Sequence, residues 1–178
     1  RRPRRVIVRR ERPADSAAVH TLHAAAFRLP GARPDADVVE ARLTDELRED
    51  AGFLPHLSLV ATDGGAVVGH VIATRGWLEP LGVPALGLGP LGVLPAAQGR
   101  GVGTVLVHAL LAVAEAADER LVALLGEPGY YRRFGFVAAA TVGVAAPDPA
   151  WGQYFQARWL VDRRAEGTFR YAEPFARL

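Results

Sequence analysis

The chain has 178 residues, half of them hydrophobic, and a net charge of only +2, a size that suits one core in a single domain. All 21 basic residues are arginine and cysteine is absent, which excludes a Walker A lysine, a pyridoxal Schiff base, disulfides, thiolate nucleophiles and cysteine-based zinc sites. No stretch reaches the roughly 18 consecutive apolar residues of a membrane span, and the Arg-rich start lacks the apolar segment of a secretion signal, so a cytoplasmic protein without membrane contact is expected.

Seven of the first twelve residues, RRPRRVIVRRER, are arginine. Val6, Ile7 and Val8 predict a short strand, residues 1–5 a flexible solvated arm, and the lack of interleaved aromatics argues against nucleic acid as a partner. Asp15 or Ser16 then caps a helix with Val19, Leu22 and Ala26 on one face and Phe27 near its end. Pro30, Gly31 and Pro34 break the chain before a second helix over about 36–49, where Val39, Leu43 and Leu47 recur every four residues. Strands are predicted over Leu57–Thr62 and from Ala66 to about Arg75, joined by an Asp63-Gly64-Gly65 turn. Another covers Leu86–Leu94 and ends at Pro95. Val102, Val105, Leu106, Ala109, Leu110 and Val113 form the apolar stripe of a helix reaching about Ala117. Leu121–Leu125 reads as a buried strand, and Pro128 opens a short helical turn. Strands over Val137–Val144 and Tyr154–Val161 flank the Pro147–Gly152 loop, and GTFRYAEPF closes the chain.

Two glycine signatures lie almost end to end in GLGPLGVLPAAQGRGVG. Gly87 to Gly92 spell G-x-G-x-x-G, but a phosphate-binding fingerprint must open onto a helix whose free N–H groups hold the anion. Pro90 and Pro95 each remove an N–H and disfavour a helix there, so these glycines suit a strand that passes close to another backbone or a ligand. The segment QGRGVG opens directly onto the Val102–Ala117 helix. Its amides and the positive helix end suit a diphosphate, with Arg100 adding charge.

LGPLGVLPAAQGRGVG resembles motif A of the GCN5-related N-acetyltransferases, the GNAT superfamily, with Gln98, Gly101 and Gly103 at the motif's places. RPADSAAVHTLHAAAF resembles the family's first strand-helix unit, and LGEPGYYRRFGF its motif B, a Tyr several residues ahead of Gly-Phe. Together with the closing RYxxxF, the pattern is similar to the YhbS-type branch of these acetyltransferases. The resemblance implies an α/β fold with a single GNAT domain over residues 1–178. Its mixed, mostly antiparallel twisted sheet would be flanked by helices, with a splayed parallel strand pair, Leu86–Leu94 and Leu121–Leu125, at the acetyl-CoA site.

It also implies an N-acetyltransferase that moves the acetyl group of acetyl-CoA, its cosubstrate, to a primary amine of a small molecule or peptide. Attack would be direct, in a ternary complex and without a metal. The backbone of Leu91, Gly92 and Val93 would align the pantetheine, with the Val93 amide stabilising the oxyanion. Gln98, Gly99, Arg100, Gly101, Val102, Gly103 and Thr104 would surround the diphosphate. Tyr131 takes the family's general-acid place. Glu127 is the candidate base where the family often carries Asn, and a water relay is the alternative. His20 and His23, three apart, lack the further ligands of a metal site, and His23 is a candidate lining residue of the acceptor pocket. His108 points away from the helix stripe and is expected to be exposed. Trp77, Trp151 and Trp159 are expected as core or sheet-edge cover. A competing reading is an acyl-CoA-binding sensor or partner module without transfer activity. The C-terminal strands either pair with a second subunit, giving a homodimer, or complete the sheet.

Overall fold

Alternating apolar residues build an antiparallel meander of Val6–Arg10 (β1), Ser58–Asp63 (β2), Ala66–Glu79 (β3) and Val83–Val93 (β4), in a computed structural model that describes residues 5–178. Most of the arm expected to be flexible, residues 1–4, lies outside the described residues. The β2–β3 hairpin turns through Gly64 and Gly65 at φ +59° and +88°, a two-residue turn that requires left-handed backbone at both positions. β4 then runs parallel to Leu121–Leu125 (β5), which pairs antiparallel with Phe155–Trp159 (β8), itself paired with Val137–Ala138 (β6).

β3 is long enough to take two partners along one edge. β2 covers Ala66–Ile72, and Gly167–Arg170 (β9) covers Trp77–Glu79. β9 also pairs in parallel with Val144–Ala145 (β7), so the C-terminal strand completes the chain's own sheet.

The helix Val102–Ala116 (α3) lies over one face of the sheet, where its Val102, Leu106 and Leu110 meet Ala61, Val71 and Leu86 in a fully apolar layer. Ser16–Phe27 (α1) and Val39–Glu49 (α2) pack on the other face, with Leu22, Leu47 and Ile72 wholly buried. Each such leucine or isoleucine contributes about 1.5–3 kcal/mol by leaving water, so the two layers clamp β3 and β4 from both sides.

Two expectations change. The second helix begins at Val39 rather than near 36, because Val38 is extended at φ −108°, ψ 119°. The run Val137–Val144 is not one strand: Ala139–Val142 form a 3-10 turn closed by the Thr141 hydroxyl on the Ala138 carbonyl at 2.6 Å, and Gly143 ends it at φ +83°. Apolar composition alone does not separate a strand from such a turn.

Candidate active site

β4 and β5 are in register only at Leu86 with Val122 and Gly87 with Ala123. Beyond that point Val71 faces Leu91 but Ala73 faces Leu88, so Gly89 and Pro90 together oppose the single residue Ile72. Such a bulge bends a strand, and here it carries β4 away from β5 and opens a groove between them. The Leu94 amide donates to the Val68 carbonyl at 2.9 Å, and Val93 and Gly92 face Gly69 and His70. Antiparallel alternation then turns the N–H and C=O of Gly92 towards β3, and those of Leu91 and Val93 towards the groove. The Gln98 amide donates to the Val93 carbonyl at 3.1 Å, so Leu91 N–H, Leu91 C=O and Val93 N–H are what this edge offers a ligand.

At the start of α3, Gly99 and Gly101 take φ +72° and +79°, a conformation in which a side chain is strained. Gly101 is the N-cap, and its carbonyl accepts the first helical bond, from Val105 at 3.0 Å. The amides of Val102, Gly103 and Thr104 precede that bond and have no helical acceptor. A cavity of about 440 Å³ lies against this turn, and Val93, Tyr130 and Arg133 line its other side. A side chain on Gly103 would place its Cβ 2.7 Å from the Tyr130 hydroxyl, so glycine lets the phenol approach the helix start.

The cation in this cavity is not Arg100. Its guanidinium reaches Asp63 at 3.3 Å and lines a separate hollow beside the β2–β3 turn. Arg133 lines the helix-start cavity instead, held by its Nε–H on the Tyr130 carbonyl at 2.9 Å and stacked 4.7 Å over the Tyr130 ring. The RRFGF run gives no reason to prefer Arg133 over Arg132. Only its position three residues after Tyr130 in a helical turn carries a signal.

A larger cavity of about 930 Å³ continues from the first, sharing Leu91 and Tyr130 with it. Tyr131 and Glu127 both line it, Tyr131 at the end of the short helix Pro128–Tyr131 (α4) that follows β5 and Glu127 just before its start. Glu127 caps α4 through its carbonyl, which accepts from the Tyr130 and Tyr131 amides at 3.0 and 3.1 Å, and its exposed carboxylate makes no cap bond. The Tyr131 ring lies over Gly126, where an added Cβ would be 2.5 Å away, and stands edge-on to Phe136 at 5.9 Å. Burial pushes its phenol up to about 12, with a smaller contribution from Tyr130.

His23 does not line the acceptor side. It is fully buried, with Nε2 2.8 Å from His70 Nδ1, and its neighbour Phe27, stacked at 5.8 Å, reaches the cavity in its place. His70 Nε2 lies 2.9 Å from the Ser58 hydroxyl, which donates its one proton to Glu11. The chain of donors is thereby assigned: His70 donates to Ser58, His23 donates to His70, and His23 Nδ1 is a bare acceptor with no partner among the described residues. Burial, then the neighbouring His70, holds His23 down at about 2. Burial alone would raise the Glu11 carboxyl, but the His70 imidazole 3.3 Å away and hydrogen bonds from Arg48 and Ser58 outweigh it and hold it at about 2. His20 turns away to Asp45 at 2.6 Å, and no group of potential metal ligands occurs among the described residues.

The remaining aromatic and histidine positions divide. His108 is exposed, edge-on to Phe134 at 5.0 Å. Trp159 donates to the Val142 carbonyl at 3.0 Å, and Trp77 lies beneath the Arg170 guanidinium at 4.3 Å. Trp151 alone of the three lines the large cavity.

A sheet whose central parallel pair splays beside a glycine-started helix defines a class of acyl-transfer enzymes, and residues 17–136 match the Acetyltransferase (GNAT) family. The chain belongs to that family, whose class is the acetyl-CoA-dependent N-acetyltransferases. It is 32% identical to the uncharacterized N-acetyltransferase YhbS of Escherichia coli K12 over 176 residues, covering 97% of this chain and 99% of the relative. Its fold is similar to the crystal structure of Escherichia coli YhbS in complex with CoA, with TM-score 0.87 and 30% identity over 100% of this chain and 96% of that one. A GNAT family acetyltransferase from Brucella melitensis in complex with acetyl-CoA matches with TM-score 0.76 and 33% identity, over 97% and 99% of the two chains. Among the described residues, no helix is long and apolar enough to cross a membrane.

Proposed function

We propose that this protein transfers the acetyl group of acetyl-CoA to a primary amine by direct attack, with the cosubstrate lying in the groove between β4 and β5. The observation that carries the reading is the continuity of the two cavities across Leu91 and Tyr130, one end lined by free helix amides and a guanidinium, the other by a phenol and a carboxylate. The diphosphate would rest on the amides of Gly99 to Thr104, favoured by the helix dipole, with Arg133 rather than Arg100 supplying the charge. The pantetheine would extend the sheet through Leu91 N–H, Leu91 C=O and Val93 N–H. Val93 lines only the helix-start cavity, whereas Leu91 lines both, so the Leu91 amide replaces Val93 as the donor facing the thioester oxygen.

The acceptor ammonium would lose a proton to Glu127 or to water, and the neutral nitrogen would bond to the thioester carbonyl carbon. As the resulting oxyanion collapses, the C–S bond breaks, the CoA sulfur takes the Tyr131 proton, and the second proton of the attacking nitrogen leaves through water, which leaves a neutral amide and returns a proton to Tyr131. Burial of Tyr131 supports that role, since a phenol raised to about 12 stays protonated at neutral pH. The chain has no cysteine, and Ser58 is buried against His70 and Glu11, which disfavours a covalent acyl-enzyme. Membership of an enzyme family and the placing of Tyr131 favour transfer over a sensor module. The cytoplasm is the location that fits this reading.

The test is Tyr131→Phe with acetyl-CoA. Its kcat is expected to fall about 100-fold, while the rise in Tm caused by acetyl-CoA stays as in the wild type, since no described residue is hydrogen-bonded to the hydroxyl. Full turnover in that variant would remove Tyr131 from the mechanism.

A further inference from the structure

The large cavity exceeds what an acetyl thioester needs. At about 930 Å³ it lies near the upper end of the roughly 300–1,000 Å³ typical of small-molecule sites. Its end away from the helix start is walled by Phe27 and Leu43 from the helical layer, by Trp151, and by Tyr171 and Phe175 from the C-terminal segment. These side chains pack on one another, with Tyr171 4.5 Å from Phe175 and 6.3 Å from Trp151 between ring centres. Tyr171 also fills the space that a side chain at Gly87 would take, 2.7 Å from an added Cβ. The wall is therefore held in place by the same strand that borders the groove.

The charges around this wall have one sign. Glu40, Glu127 and Asp148 line the cavity against a single cation, Arg170. Arg170 is already answered: Glu79 accepts from its Nε and Nη2 at 3.0 and 2.9 Å, and Trp77 lies under it. The carboxylates of Glu40 and Glu127, by contrast, bond no described residue.

We infer that the acceptor is a primary amine carried on an apolar, ring-sized body, an arylalkylamine or an alkylamine of similar bulk, rather than a polyamine or an amino sugar. The inference rests on the acetyl-transfer reading above. The apolar body would occupy the Phe27–Trp151 end, and the nitrogen would point back to the joint at Leu91 and Tyr131. A polyamine has no bulky apolar body to cover the wall of Phe27, Trp151, Tyr171 and Phe175, so it forgoes the burial that this end offers. The carboxylates attract the acceptor as an ammonium, and the proton it must lose before attack passes to Glu127 or to solvent. The nitrogen then forms its bond to the acetyl carbon, sulfur departs with the Tyr131 proton, and the nitrogen's second proton passes through water back to Tyr131.

Initial rates of CoA release from acetyl-CoA, with ethylamine, hexylamine, 2-phenylethylamine, putrescine and spermidine as acceptors, test this. The kcat/KM for 2-phenylethylamine and hexylamine is expected to exceed that for ethylamine by at least about tenfold, the smallest effect of burying a side chain of that size. Trp151→Ala is expected to shrink the phenylethylamine-to-ethylamine ratio severalfold. Because that variant can lose packing, binding is also read directly: N,N-dimethyl-2-phenylethylamine, which cannot form a neutral amide, should raise the wild-type Tm where trimethylamine does not. Equal or better turnover of ethylamine or spermidine overturns the inference, and so does turnover of none of these amines by a protein that acetyl-CoA stabilises. A preference for octanoyl-CoA over acetyl-CoA also overturns it, because the apolar wall would then hold an acyl chain. Absence of any Tm response to acetyl-CoA sinks the acetyl-transfer reading itself, a distinct failure.

Discussion

The two glycine segments on either side of Pro95 do opposite work. In β4, Gly87 and Gly92 are pressed from the side: an added Cβ would lie 2.7 Å from the Tyr171 ring and 2.6 Å from His23 Nδ1. At the start of α3, Gly99 and Gly101 have positive φ and nothing within 4 Å of an added Cβ. The first pair makes room for packing, and the second makes a turn whose amides stay uncovered. Matching the G-x-G-x-x-G spelling therefore finds the packing glycines Gly87 and Gly92, while the uncovered amides, where we propose the diphosphate binds, follow the glycines that open a helix.

The largest expected effect separates the two. Gly92→Ala drives a methyl into a buried imidazole that is fixed by His70, so it should cost about 2–3 kcal/mol of stability and lower Tm by roughly 5–10 °C. Gly101→Ala meets only backbone strain, about 1–2 kcal/mol, and should weaken CoA binding more than it lowers Tm. If calorimetry and CoA titration rank these two variants the other way, the division of labour is wrong.

The arginines sharpen the contrast at the helix start. Arg133→Ala should weaken CoA binding about tenfold or more, the worth of a hydrogen bond to a charged group. Arg100→Ala removes only a surface pair with Asp63 and should change CoA affinity by less than about threefold. Isothermal titration of both variants decides whether the cation was correctly assigned.

The histidine under Gly92 gives the broadest effect. His23 is held at about 2 in the fold against an ordinary 6.5, so the unfolded chain binds a proton that the folded one refuses. Stability should therefore decline as pH drops below about 6.5. Glu11, at about 2 against 4.5, adds a further loss as pH falls below about 4.5. A Tm that does not change between pH 7.5 and 4 would show that the buried cluster accepts protons freely.

Much of the site was legible without coordinates. The helix after Gly101 and the short turn carrying Tyr131 follow from hydrophobic period and breaker residues, which act locally, whereas the pairing of Leu86–Leu94 with Leu121–Leu125 was implied only by the family resemblance. Arg133 at the helix-start cavity, Arg100 at a separate hollow and His23 buried away from the large cavity were not legible, because each depends on where a side chain points after distant segments meet. The tail RYAEPF entered the sequence reading only as the end of the chain and the closing RYxxxF of the family pattern, yet its Tyr171 and Phe175 wall the large cavity.

From sequence alone came the order of elements, the family resemblance and the helix-start signature, since period, turn chemistry and capping are set by residues a few positions apart. Tertiary structure alone decided which β4 amides face the groove, because that alternation is set by register with β3 and by the bulge at Gly89 and Pro90. It also decided that the large cavity has an aromatic wall bordered by carboxylates, since its walls come from α1, α2, the 147–151 loop and the C-terminal segment, which only long-range packing brings together.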